Sequence, residues 1–176
     1  IVFNPVMEEK VNLLAVNPLG AEDLKLLRGL ILYEKKDLCH IASGIFSDLT
    51  KSQKQDVELS SRYHLGACLK EMRLPTESVY QLIQIIKSGS PTWTPEALKI
   101  AVQVVSNQSE ENLVEAVLQI KDEKLIPAEV KSDLQYFKAK HFVKKANYQQ
   151  ALNHAEAVTA TSNKFYKAQY IASVAE

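Results

Sequence analysis

The residues of this chain with the chemistry for catalysis or metal binding are four histidines, two cysteines and two acidic doublets. His40, His64, His141 and His154 never stand four apart, the spacing that puts two imidazoles on one helix face, and no His-Glu-x-x-His occurs. Each reads as a surface or packed histidine. Cys39 and Cys68 form no Cys-x-x-Cys and no disulfide framework, so both read as buried helical thiols. Glu110-Glu111 and Asp122-Glu123 fall at expected helix ends and read as capping and solvation. There is no phosphate loop, no Gly-x-Ser-x-Gly and no cysteine with a base beside it. Asn107-Gln108-Ser109 matches a glycosylation sequon, which acts only in a secreted eukaryotic chain. The sequence therefore points to no enzyme, no catalytic or metal residue and no cofactor.

With chemistry set aside, composition bounds the class. The chain has 176 residues, 46% of them apolar, with only 5 glycines and 6 prolines, which favours an all-helical protein. Basic and acidic residues balance at 21 each. By segment, residues 1–50 carry −2, 51–126 carry −1 and 127–176 carry +3. No segment is basic enough to make nucleic acid the main partner. No apolar run reaches the roughly 20 residues that span a bilayer, so direct membrane insertion is not expected. The start is neither a signal peptide nor an initiator Met, and the chain stops in what reads as mid-helix. That is expected of a fragment, and the compartment stays open between cytoplasm and bacterial periplasm.

Helix signals recur along the whole chain. An amphipathic helix is expected over 6–16, ended by Asn17-Pro18-Leu19-Gly20, and a second runs from Gly20 to about Tyr33. Asp37 reads as the cap of a third. Ser52 with Gln55 resembles a capping box opening a long helix to about Arg73. Pro75 suits the first turn of the next, whose run Val79–Ile86 is apolar almost all round, as in a helix buried on two sides. Thr94-Pro95-Glu96, Ser109 and Pro127 mark three more starts, and Asn147 with Gln150 another. A final helix begins near Lys164.

These helices repeat. Tyr170 follows Tyr136 by 34 residues, and Ser173 follows Ala139 by 34. One small residue can be taken from each first helix: Gly29, Gly66, Ala101, Ala139 and Ser173, at intervals of 37, 35, 38 and 34. Gly29 and Gly66 cost roughly 1 kcal/mol against alanine inside a helix, so close packing of the paired helix should compensate. Twelve residues on stand Ile41, Ser78, Leu113 and Ala151, and four further on Ile45, Leu82, Val117 and Ala155. This pattern resembles the tetratricopeptide repeat family, in which each unit of about 34 residues is a helical hairpin. The family places a small residue at the first of these sites and a bulky one at the second. Only the unit around Gly66 meets both, and those around Gly29 and Ala101 depart at the small site.

The resemblance implies one domain over 1–176: an α-solenoid of stacked antiparallel hairpins wound as a right-handed superhelix. Its units are 20–51, 52–91, 92–126 and 127–163, with partial helices at both ends. Another α-solenoid or an irregular helical bundle is the remaining alternative. It also implies an inner groove lined by the first helices, at Leu26, Leu30, Tyr33, Tyr63, Ala67, Lys70, Leu98, Val102, Val105, Tyr136, Lys140, Val143, Lys167, Tyr170 and Val174. Tyrosines among aliphatics and lysines suit a peptide or partner helix. Chaperone-binding members hold a C-terminal carboxylate with Lys, Arg and Asn. Here the matching sites are Ala67, Val102 and Lys140, which argues against that subfunction. The expected function is a non-enzymatic protein-binding scaffold. The join Ser162, Tyr166, Ala168 and Tyr170 also resembles arrays in bacterial envelope and motility proteins. Alternatives are a structural or self-assembling segment of a larger complex, placed by that resemblance in the bacterial envelope, and a regulatory domain of an enzyme. Oligomeric state is left open.

Overall fold

The structure, a computed structural model, describes residues 20–106 and 109–175, and of Lys36 only the backbone. The helix expected over 6–16 and the sequon's Asn107 lie outside the described residues. Among the described residues all regular structure is helical, so the all-α expectation holds. We number the helices α1 (Ala21–Tyr33), α2 (Cys39–Leu49), α3 (Gln55–Glu71), α4 (Pro75–Ser88), α5 (Trp93–Val104), α6 (Glu110–Leu118), α7 (Ala128–Lys144), α8 (Tyr148–Glu156) and α9 (Phe165–Ala175). Two 3-10 turns, Lys36–Leu38 and Glu123–Leu125, precede α2 and α7.

Local signals place most helix ends. Pro75 is the first residue of α4, and Gly89, at φ +65, closes it in the left-handed region. Asn147 Oδ1 accepts from Gln150 N at 3.3 Å, as the cap pair predicts. Three expected caps do other work. Asp37 sits in the 3-10 turn, and its carbonyl meets His40 Nδ1 at 3.0 Å. Ser52 lies ahead of α3, donates to Glu22 Oε2 at 2.7 Å and so ties α3 to the start of α1. Thr94 is fully buried inside α5 and donates to the Ile85 carbonyl at 3.3 Å. Ser109 does precede α6, but its hydroxyl accepts from Ser106 N at 3.1 Å and caps nothing in the helix. A hydroxyl near a helix start has two outlets, its own helix or a neighbour, and only packing selects one.

Two junctions use the same turn. Leu74 N donates to Leu69 O at 2.9 Å and Arg73 N to Lys70 O at 3.0 Å after α3. Asn147 N donates to Phe142 O at 2.9 Å and Ala146 N to Val143 O at 2.9 Å after α7. Both are Schellman closures, and both put a non-glycine residue at positive φ, Arg73 at 60 and Ala146 at 54. Left-handed backbone costs a residue with a Cβ roughly 1 kcal/mol. Ala146→Gly, at an exposed site, should therefore raise the unfolding free energy by up to about 1 kcal/mol in a urea titration.

The helices pack in a regular order. α1, α3, α5, α7 and α9 each touch the next of that series, and α2, α4 and α8 each pack against the helix before and the helix after. Every closely packed pair lies within two places of each other in the chain. The departure is α5 and α6, whose backbones run close over almost none of their length. Instead α6 rests on α4 and α7. Leu113 stands at the small-residue site of that unit and is fully buried, which is the physical reason two backbones cannot close there as they do at Ser78 or Ala151.

The small-residue stripe holds at four of its five positions. Gly29, Gly66, Ala101 and Ala139 are all buried. A Cβ on Gly29 would meet Phe46 Cε1 at 2.8 Å, and one on Gly66 would meet Leu82 Cγ at 3.0 Å. Ser78 Oγ also donates to the Gly66 carbonyl at 2.7 Å. Ser173 is a correction: it is exposed, its hydroxyl bonds the Tyr170 carbonyl, and Ala168 and Ala172 take the buried face of α9. The first unit is also shifted by one residue. Ile41 is exposed, whereas Ala42 and Phe46 are fully buried, and Phe46 would lie closest to a Cβ on Gly29, with Ile45 beside it at 3.2 Å. The 3-10 turn at Lys36–Leu38 holds the extra residue.

Candidate functional site

Five of the groove positions predicted from the sequence converge on one recess. Val102 and Val105 come from the end of α5, Tyr136 and Lys140 from α7, and Lys167 from α9. The recess holds about 460 Å³ and is completed by Gln103, Glu110, Asp133 and Lys164 among others. The helices meet there because α7 touches both α5 and α9, and because buried Ala139 and Ala168 let α7 and α9 approach.

Its electrostatics centre on Tyr136. Lys140 Nζ lies 5.6 Å and Lys164 Nζ 6.0 Å from the ring centroid, within cation–π range. Lys140 is also ion-paired with Glu110 at 2.8 Å. Glu110 is only 7% exposed, so the solvation assigned to it from the sequence is corrected: it is a buried carboxylate held by a lysine thirty residues away. Glu111 pairs with Lys145 at 2.9 Å, and that lysine holds its carboxyl below the usual range. Around the recess three lysines face two acids, leaving it mildly positive, in keeping with the +3 of the C-terminal segment.

The other predicted positions divide: Leu26 and Leu30 pack on the Phe46 core and Ala67 is buried, which corrects all three, and Val143 and Val174 do not line the recess. Lys70 donates to Gln103 Oε1 at 3.0 Å, which links α3 to the rim of the recess. Tyr170 is 71% exposed on α9 and does not line the recess. Leu98 is a correction: at 0% exposure it belongs to the main core and has no surface for a partner. α5 turns that face toward α4 and the Leu113 cluster. Tyr33 and Tyr63 are half-buried in a ring cluster around His64, with centroids 5.0 and 5.2 Å from the imidazole. Phe46 stacks on the same imidazole at 5.3 Å, and Trp93 tilts against Tyr63 at 5.2 Å. Burial pushes the Tyr33 hydroxyl up to about 12 and raises that of Tyr63. The cluster fastens α1, α2, α3 and α5 together and reads as packing. Arg62 was missed from sequence: it bonds Glu58, Gln81 and the Thr50 carbonyl, so one guanidinium spans three helices.

No metal-binding group of three His, Cys, Asp or Glu exists among the described residues. His64 Nδ1 meets the Ser60 carbonyl at 2.7 Å, which requires the proton on Nδ1 because a carbonyl only accepts. His154 stacks on Phe142 at 5.3 Å and meets Gln135 Oε1 at 2.6 Å. Burial, and then the charge of Lys138, holds the His154 imidazolium form below its ordinary 6.5. The unfolded chain therefore takes up a proton first as pH falls through 6.5, and stability is lost on the acid side of that value. Thermal melts between pH 7.5 and 5 should show a falling midpoint, with a shallower fall in His154→Gln.

No helix among the described residues is long and apolar enough to cross a membrane. No protein-family model, no curated protein and no solved structure matches this chain.

Proposed function

We propose that the chain is a tetratricopeptide-like α-solenoid, a non-enzymatic scaffold that binds a peptide or partner helix in its groove. Units 20–51, 52–91 and 127–163 form hairpins of the array, 92–126 joins it through α4 and α7 without its own two helices closing, and α9 opens a further unit. The alternating order of helix contacts supports this, since each unit touches only its neighbours, as in a quasi-one-dimensional stack. The single observation that carries the groove is the recess itself: residues counted inward from the small-residue register on α5 and α7 line one surface, and Lys167 of α9 joins them.

An amphipathic helix or extended peptide would lay its apolar side on Val102, Val105 and Tyr136 and an acid near Lys164 and Lys167. Selection of binders from a displayed peptide library tests this. Peptides that bind the wild-type chain should lose at least about tenfold in affinity on Tyr136→Ala and on Lys167→Glu, the latter exposed and free of packing cost. Binders that ignore both changes but need Tyr80, beside a smaller recess of about 210 Å³ between α4 and α6, would sink the groove reading.

A second reading, self-association, is favoured by Tyr166 and Tyr170, 84% and 71% exposed on α9. Light scattering over a concentration series separates the two, because a constant monomer mass disfavours it.

A further inference from the structure

Cys39 opens α2 and Cys68 lies in the last turns of α3, and their Sγ atoms are 2.7 Å apart. Both thiols are buried, at 5% and 0% exposure, among Ala42, Phe46 and Leu65. Both are free thiols in direct contact, and the separation need shorten only to about 2.05 Å for a bond. Among the described residues the pair belongs to no group of three metal-ligating side chains. Burial pushes the Cys68 thiol well above its usual range, so it is not a nucleophile in the packed state.

We propose that Cys39 and Cys68 are a disulfide pair, a covalent cross-link site joining the first unit to the second when the chain folds in an oxidising setting. The co-reactant is a low-molecular-weight disulfide of the glutathione class. One cysteine thiolate attacks it, forming a mixed disulfide and releasing one glutathione thiolate. The second cysteine thiolate then attacks the protein-side sulfur, forming the Cys39–Cys68 bond and releasing the second glutathione. Two protein thiols are oxidised, one reagent disulfide is reduced to two thiols, and the two protons pass to the departing glutathiones. Because the packed thiols are hidden, exchange runs during folding or through an opened α2–α3 junction. The bond joins residues 29 positions apart and fastens the junction at which the Gly29–Phe46 cluster is built.

The test equilibrates the wild-type chain with glutathione redox buffers of graded ratio, in native buffer and in concentrated urea. Acid quenching, alkylation and intact mass then give the cross-linked fraction. Cys39→Ala and Cys68→Ala serve as controls that can form only glutathione adducts. The chain has only 2 cysteines, so the unfolded chain supplies its own baseline for random encounter. The native fold should raise the equilibrium constant for the cross-link by roughly 30- to 1000-fold over that baseline, the linkage counterpart of a disulfide's stabilisation. The cross-linked form should also melt roughly 5–10 °C above the reduced form. A constant that is equal or lower in the native state overturns the proposal, and so does a chain that forms only intermolecular dimers.

Discussion

Truncating Phe46 to alanine is expected to lower the unfolding free energy by about 3–5 kcal/mol, the range for a fully buried phenylalanine whose site cannot collapse. The ring is at 0% exposure and has no slack around it. It stacks on His64 at 5.3 Å, meets Tyr33 edge-on at 6.4 Å, and sits where a side chain on Gly29 would have to go. The same atoms thus join α1, α2 and α3. Urea unfolding followed by circular dichroism gives the number. Because each helix touches only near neighbours, amide exchange should accelerate over α1–α3 and leave α7–α9 unchanged. A loss under about 1 kcal/mol would show that this ring does not close the first unit.

A sign reversal is expected at the Gly66–Leu82 contact. Leu82→Ala alone should cost about 2–5 kcal/mol, since Leu82 is fully buried. Gly66→Ala alone gains roughly 1 kcal/mol of helix propensity but forces a methyl against Leu82 Cγ and Cδ2 at 3.0 Å. Overpacking of that kind costs about 1–3 kcal/mol, so the single change should be neutral to destabilising. In the Leu82→Ala background the obstruction is gone and the same substitution should stabilise by roughly 1 kcal/mol. The cycle should therefore show a coupling of about 1–3 kcal/mol. A Gly66→Ala that stabilises the otherwise unaltered chain would mean that close approach is not what keeps glycine there.

Both predictions start from glycines that stand out in the sequence because they violate helix propensity, and this is where reading was most productive. Gly66, Ser78 and Leu82 were assigned their small, small and bulky sites correctly, because both helices of that unit and the turn between them have regular length. The first unit misled by one residue, since a 3-10 turn at Lys36–Leu38 adds a position that no local signal marks. Ser173 misled because an interval of 34 copied from Ala139 passes over Ala172, which α9 turns inward. In the recess, Val102, Val105, Tyr136 and Lys140 were legible from register alone, but Glu110 was not, and Lys167 was named from a register that α9 does not keep. An acid at a helix start looks like dipole complementation until a lysine arrives from another helix.

The sequence by itself determined the all-helical class, most helix ends and the stripe of small residues. These rest on interactions within a few residues: hydrophobic periodicity, the missing N–H of proline, the left-handed freedom of Gly89 and the Asn147 cap. Tertiary structure alone decided which hydroxyls leave their own helix, as Ser52 and Thr94 do, and which acid is buried. It decided too that Leu98 is core and that two distant thiols touch. Each of those depends on a partner from another helix, whose arrival is set by the summed packing of whole units and leaves no mark in the neighbouring residues.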